Sequence, residues 1–228
     1  QRMQRVNVAL QELKAGRSTT DVAFDSGYDS LSGFGYTCKK LTGSAPSARR
    51  QVILIHWFTT PLGPMFVCAT DSGICLLEFV DRRALEPEFS DLQRLLNASI
   101  IAGENGHTRQ AEKEIGEYFA GQRRQFSVAL DTPGSEFQRG VWQGLQRISY
   151  AETTHYQAVA VDIGNPMATR AIASACGANR VAIIIPCHRV VGKDASMTGY
   201  GGGVACKIWL INHEKSSSKI TPDKHCIL

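Results

Sequence analysis

The spacing of apolar residues changes character twice along this chain. Those two changes limit the possible folds more than any single motif does. Up to Arg50 the spacing is helical. From Val52 to Val80 apolar residues come in short runs broken by turn signals. From Thr132 helical spacing returns. One buried stripe marks a helix packed on a core, whereas short apolar runs between Gly and Pro mark strands. An α+β protein in consecutive pieces is expected: a helical module over 1–50, a small antiparallel sheet with a helix over 51–131, a helical domain over 132–215 and a flexible polar tail over 216–228.

Within the first piece, Val6, Ala9, Leu10 and Leu13 share a helix face. Thr19 or Thr20 is placed to cap a short helix carrying Val22, Ala23 and Phe24, which Gly27 ends. Ser30 then caps a helix with Leu31, Phe34, Cys38 and Leu41 along one side, stopping near Gly43. Two short helices around a glycine turn form a helix-turn-helix pattern, and "SAPSARRQ" reads as the linker after it. In "VILIHWFTTPLGPMFVCATDSGICLLEFV" a tight turn is expected at Asp71–Gly73. Thr108–Ala120 reads as an amphipathic helix with Ala111, Ile115, Tyr118 and Phe119 inward and Gly121 as its stop. Further on, Ser135 with Gln138 and Thr154 with Gln157 have capping-box spacing. Gly164 turns the chain, Asn165 caps, Pro166 opens a helix that runs to Gly177, and a second helix-turn-helix results.

Charge is unevenly placed. The net charge is +4, and residues 1–50 hold eight Lys/Arg against four acids, leaving 17 of each sign in the remainder. A polyanion partner fits this imbalance, and so does an ordinary solvated helical surface. Residues 163–193 contain Arg170, Arg180, Arg189 and Lys193 with no acid, and Ala168, Ala171 and Ala175 fall at helical spacing as a small-residue face. Such a face admits a close neighbour, either another helix or a nucleic-acid backbone. The seven cysteines are odd in number and lack a CxxC pair, so free thiols in a reducing cytosol are expected, with no metal site and no cofactor motif. No apolar run approaches the length of a membrane span.

Ile183–Ile185 read as a buried strand that Pro186 ends, leaving Cys187 at the core edge beside His188. A thiol becomes nucleophilic as the thiolate, which needs a base or positive potential nearby. His188, Arg189 and Arg180 can supply either. On these residues alone, a reactive thiol and an inert core thiol remain equally open.

A resemblance narrows this. "PCHRV" is similar to the active-site signature of the O6-alkylguanine-DNA alkyltransferases, and "YQAVAVDIGNPMATRAIASACGANRVAIIIPCHRVV" and "TGYGGGVACKIWLINHE" resemble the same family on both sides of it. The likeness spans roughly residues 55–215. It implies a ribonuclease H-like sheet subdomain followed by a helical, winged helix-turn-helix-like domain. It also implies irreversible, single-turnover transfer of an alkyl group from guanine in double-stranded DNA to Cys187. His188 would be the base, acting through a water, Glu214 would orient it, and Asn179 would be the hinge asparagine. Tyr156 would crowd the phosphate, Arg170 would fill the vacated base stack, Ala168 and Ala171 would lie against the DNA, and Tyr200 would contact the base. The run Gly201–Gly203 departs from many members and leaves the pocket's width open.

"DVAFDSGYDSLSGF" resembles the second half of an AraC-type DNA-binding domain, and the order of modules resembles the adaptive-response methyltransferases of bacteria. This implies promoter DNA as a partner of residues 1–50. Opening at Gln1 inside a helical pattern fits a fragment or a shorter relative. A monomer in the cytoplasm, or with DNA in the nucleoid or nucleus, is expected. Two other readings stay open: a DNA-binding regulator that only senses lesions, and a cysteine hydrolase built on Cys187 and His188.

Overall fold

The computed structural model describes residues 2–42, 51–81, 85–197 and 199–219. Of the predicted linker over 44–51 only Gln51 is described, and it opens a strand. Of the predicted flexible tail over 216–228 only 216–219 are described, and they continue the last helix. The helix end near Gly43 and the side chain of Leu41 lie outside the described residues.

Three helices open the chain: α1 (Arg2–Lys14), α2 (Thr19–Asp25) and α3 (Leu31–Thr42). They close on a small core of Val6, Ala9, Val22, Ala23, Phe34 and Cys38. Ser18, not Thr19 or Thr20, caps α2, because its hydroxyl lies 3.1 Å from the Asp21 amide. Ser30 caps α3 as expected, accepting from Gly33 N at 3.1 Å. Phe24 is exposed, and so is Leu31, from the side expected to carry Phe34 and Cys38.

The sheet has four strands, β1 (Gln51–Thr60), β2 (Gly63–Ala69), β3 (Ile74–Phe79) and β4 (Ala98–Ala102), in the order β3-β2-β1-β4. The first three are antiparallel, with Thr70 N donating to Gly73 O across the predicted turn. The fourth corrects the expectation of a purely antiparallel sheet, since β4 runs parallel to β1. The cause is α4 (Leu85–Leu95), which carries the chain from one sheet edge to the other. A helical crossover returns a strand in the parallel sense. Along β2, Met65, Val67 and Ala69 enter the main core, while Phe66 and Cys68 enter a second one with Cys75, Leu76 and Leu92. Cys68 and Cys75 are thus apolar filler. Burial pushes the Cys75 thiol up to about 12.

Helix α5 (Gly106–Phe119) is capped reciprocally by Asn105 and Thr108, and it buries Ala111, Ile115 and Tyr118 against the sheet. The segment after it is stitched on by Glu114, which accepts from Ser127 N at 2.9 Å and Val128 N at 3.3 Å. It then runs beside β3, where Ile74 N donates to Ala129 O and Asp131 N to Ile74 O, both at 2.9 Å. The approach is so close that a Cβ on Gly73 would stand 2.6 Å from Ala129 O.

Beyond it lie α6 (Glu136–Gln146), strand β5 (Thr154–His155), α7 (Tyr156–Asp162), α8 (Thr169–Gly177), strand β6 (Val190–Val191) and α9 (Val204–Lys219). Ser135 and Gln138 form the expected capping box. Two other expectations need correction. Thr154 lies in β5, and α7 is capped by His155, whose Nδ1 accepts from Ala158 N at 3.1 Å. Helix α8 begins at Thr169 rather than Pro166, because Ala168 N bonds back to Asn165 O and closes a separate turn. The main core draws on both halves, from Phe58 on β1 to Leu210 on α9.

Candidate active site

Ile183–Ile185 do not form a strand. Val181 makes an isolated bridge to Leu77, after which the chain turns, with Ile183 at φ +70°. Asn179 imposes the turn. Its Oδ1 accepts from Val181 N at 3.0 Å and its Nδ2 donates to Ile185 O at 2.9 Å. The isoleucines are buried because the turn sits inside the main core. Pro186 then leads into a single 3-10 turn, Cys187–Arg189.

Nδ2 of Asn179 also lies 3.2 Å from Cys187 Sγ. A hydrogen bond to sulfur favours its charged form. The same side chain therefore shapes the turn and supports a thiolate.

His188 is fully buried, and its Nε2 lies 2.8 Å from Glu214 Oε1. A carboxylate only accepts, so the proton belongs on Nε2 and the lone pair on Nδ1. Nδ1 makes no hydrogen bond among the described residues. Burial pushes the imidazole pKa down against the opposing pull of Glu214, which favours the neutral ring with its lone pair on Nδ1.

Glu214 is the hub. Besides His188 it accepts from Tyr118 Oη at 3.0 Å, Ala151 N at 3.1 Å, and Arg189 Nε and Nη2 at 2.9 and 3.1 Å. Burial alone would raise its pKa, but the hydrogen bonds and charges of His188 and Arg189 win and hold it at about 2. Arg189 is spent in this network and also donates to Ile148 O at 2.7 Å. Arg180 pairs with Glu88 and Asp91 on α4. Neither arginine offers the thiol the free charge expected of it, and the acid-free stretch 163–193 keeps only Arg170 and Lys193 exposed among its four cations.

Sequence reasoning missed two participants. Lys207 is fully buried, donates to Val190 O at 2.6 Å, and lies within electrostatic reach of Cys187 and Cys176. Burial lowers its pKa, and those two thiols pull it back up. The signal was available: Lys207, Leu210, Ile211 and Glu214 have the spacing of one buried helix face. Two ionisable residues on such a face indicate chemistry rather than packing. The other is Tyr118, expected only as an inward residue of α5.

Tyr200 stands edge-on to His188 with ring centroids 6.4 Å apart, and its buried hydroxyl has no partner among the described residues. The glycine run is tight at Gly202 and open at Gly203. A Cβ on Gly202 would come within 3.0 Å of Phe79 and 3.1 Å of Tyr200.

The structure thus gathers Cys187, His188, Glu214, Asn179 and Tyr200. Tyr156, Ala168, Arg170 and Ala171 lie apart, on the α7–α8 pair. Tyr156 is half-buried at the start of α7, while Arg170 and Ala171 are exposed in the first turn of α8. The three alanines differ in exposure: Ala168 precedes α8 and is half-buried, Ala171 is exposed, and Ala175 is buried, with Trp142 Nε1 donating to its carbonyl at 2.9 Å. The two groups are joined through Asn179, which follows α8 and bonds back to Cys176 O. A cavity of about 470 Å³ abuts Pro186 and Arg189, but Cys187 is not in its wall. Among the described residues no cluster of His, Cys, Asp or Glu is arranged to hold a metal, and no helix is long and apolar enough to cross a membrane.

Two family models match the chain in succession. Residues 53–132 match the ribonuclease-like domain of 6-O-methylguanine DNA methyltransferase, and residues 136–216 match its DNA-binding domain. A methylated-DNA–protein-cysteine methyltransferase of Mycolicibacterium paratuberculosis is 40% identical over 159 residues, covering 70% of this chain and 90% of that protein. The inducible one of Bacillus subtilis is 38% identical, covering 67% and 85%. The crystal structure of Mycobacterium tuberculosis OGT in complex with DNA superposes with a TM-score of 0.62 at 34% identity, covering 72% of this chain and 94% of that one. Both domains are matched in order, and the chain belongs to the 6-O-methylguanine DNA methyltransferase family.

Proposed function

We propose that this protein repairs alkylated DNA by moving the alkyl group from O6 of guanine to the sulfur of Cys187, once per molecule. The observation that carries the reading is the order of hydrogen bonds behind the thiol. Asn179 donates to sulfur, and Glu214 fixes the His188 tautomer whose Nδ1 can take a proton. His188 removes the thiol proton, directly or through one water. Sulfur attacks the alkyl carbon, the carbon–O6 bond breaks, and the departing guanine takes up a proton. The target atom is out of reach inside a base stack, so the nucleotide must be extruded. Tyr156, Ala168, Ala171 and Arg170 form the duplex-facing surface, with Arg170 substituting in the stack and Tyr200 offering its hydroxyl to the extruded base.

The test is to incubate the protein with duplex DNA carrying O6-methylguanine and weigh it. A methyl-sized gain on the peptide containing Cys187 supports the reading. Turnover of an acyl ester without that gain would favour a hydrolase, and lesion binding without gain would favour a sensor.

Residues 1–50 support a second, compatible role. The α2–α3 pair presents Tyr36, Lys39 and Lys40 to solvent in the segment that carries the chain's net positive charge. This fits half of an AraC-type module that binds promoter DNA, attached to a monomeric repair domain. Replacing Lys39 and Lys40 by alanine should weaken binding of undamaged DNA and reduce its salt dependence by about two charges. Unchanged binding would remove promoter DNA from this account.

A further inference from the structure

The turn from Asn165 to Ala168 is closed by one backbone hydrogen bond, from Ala168 N to Asn165 O, and has little side-chain anchorage. Asn165, Pro166 and Met167 are all exposed, and Met167 is 93% exposed, so among the turn's side chains Ala168 alone, itself only partly buried, packs against the core. Ala168, at the N-cap of α8, has no side chain able to cap it. Yet this turn determines where α8 begins, and so where Arg170 stands.

One side chain supplies what burial does not. Gln157, in the first turn of α7, lies with Nε2 2.8 Å from Pro166 O and Oε1 2.6 Å from Thr169 Oγ1. The chemistry leaves a single assignment. A carbonyl only accepts, so the amide nitrogen must face Pro166. The amide oxygen then faces Thr169, whose hydroxyl donates. Glutamate could accept from Thr169 but would set a carboxylate against the Pro166 carbonyl, and asparagine is one methylene short. Gln157 follows Tyr156 directly and Thr169 precedes Arg170 directly, so the clamp joins the two side chains assigned to the duplex.

We propose that Gln157 is a positioning residue for duplex repair: by gripping Pro166 and Thr169 it sets the entry of α8 and the stance of Arg170 relative to Tyr156. This rests on the reading of α8 as the helix that faces DNA. Both bonds are solvent-exposed, so the clamp contributes little to global stability, and its effect is geometric. A small misplacement of a group that must meet its target in one orientation costs rate out of proportion to its energy.

The experiment compares single-turnover rates on two substrates, a duplex containing O6-methylguanine and the free base O6-benzylguanine. Free base reaches Cys187 without α8 acting on a duplex. Gln157→Ala should slow duplex repair roughly tenfold and leave the free-base rate within about twofold, with an unchanged unfolding midpoint. Thr169→Val should behave in the same way, and Thr169→Ser, which keeps the hydroxyl, should recover most of the duplex rate. Combining Gln157→Ala with Thr169→Val should add little to either change alone, because both break one device. Equal losses on both substrates, or no loss on the duplex, would overturn the proposal. Arg170→Ala separates the premise from the claim. It must lose more on the duplex than on free base. If it does and Gln157→Ala does not, only the clamp is wrong; if Arg170→Ala loses equally on both, the reading of α8 is wrong.

Discussion

The two working regions of this molecule are built in opposite ways. Around Glu214, five donors from four residues converge on one buried carboxylate, and its three side-chain partners, Tyr118, His188 and Arg189, are themselves buried. Along α8, Arg170 and Ala171 stand in solvent, and a pair of exposed hydrogen bonds from Gln157 sets the helix entry. A reacting sulfur needs a fixed electrostatic setting before substrate arrives. A surface that must meet a deformed duplex gains from remaining open until DNA completes it. Chemistry here is held by burial, and recognition by a few local contacts.

Glu214→Gln tests the buried side and should have the largest effect. It leaves the Arg189 guanidinium buried without its counter-charge, a loss of about 3–5 kcal/mol. Urea unfolding should show the midpoint falling without a change in slope. A loss below about 1 kcal/mol would mean that water reaches Arg189 and that the site is not closed.

Acid should find the same weakness. His188 has a lowered folded pKa, so the stability linked to it is present above 6.5 and declines as pH falls below that value. Glu214 is held at about 2 against an ordinary 4.5, so its contribution is present above 4.5 and is lost as pH falls toward 2. Stability should therefore fall in two stages on acidification, and Glu214→Gln should flatten the lower one. A wild-type curve with no slope below 4.5 would contradict the assigned hub.

Lys207→Met sharpens the comparison from within the pocket. Removing a cation near Cys187 should move the rate-against-pH profile for free O6-benzylguanine upward by about one unit, roughly tenfold slower at neutral pH. An unshifted profile would make Lys207 a strut for Val190 alone. Arg170→Ala breaks the other side. Flipping costs a few kcal/mol and the inserted side chain offsets part of it, so duplex repair should slow roughly tenfold, with a smaller loss on free base. Stability should hardly move, in contrast to Glu214→Gln.

The contrast also explains what was legible beforehand. Ser135 with Gln138, the turn at Asp71–Gly73 and the inward face of α5 were readable because each is local, with its cause inside a few residues. The α8 start was not, because Asn165-Pro166 has the form of a helix opening while Ala168 N bonds back to Asn165 O and closes a separate turn first. Ile183–Ile185 looked like a strand since a buried turn and a buried strand share composition. Only the Asn179 carboxamide, folded back on Val181 and Ile185, separates them. Cys187, His188 and Glu214 were reached through family resemblance, whereas Arg189 was misjudged because its partner is 25 residues away.

The central claim is that Cys187 is a nucleophile used once. Its most direct test is a titration of labelled methyl transferred against protein added, with methylated duplex in excess, followed by peptide mapping. The account predicts a plateau at about one methyl per molecule, all on Cys187, and none taken up by Cys187→Ser although it still binds lesion DNA, since no second step releases a thioether. Continued turnover past one equivalent, or label on Cys176 or Cys206, would contradict it.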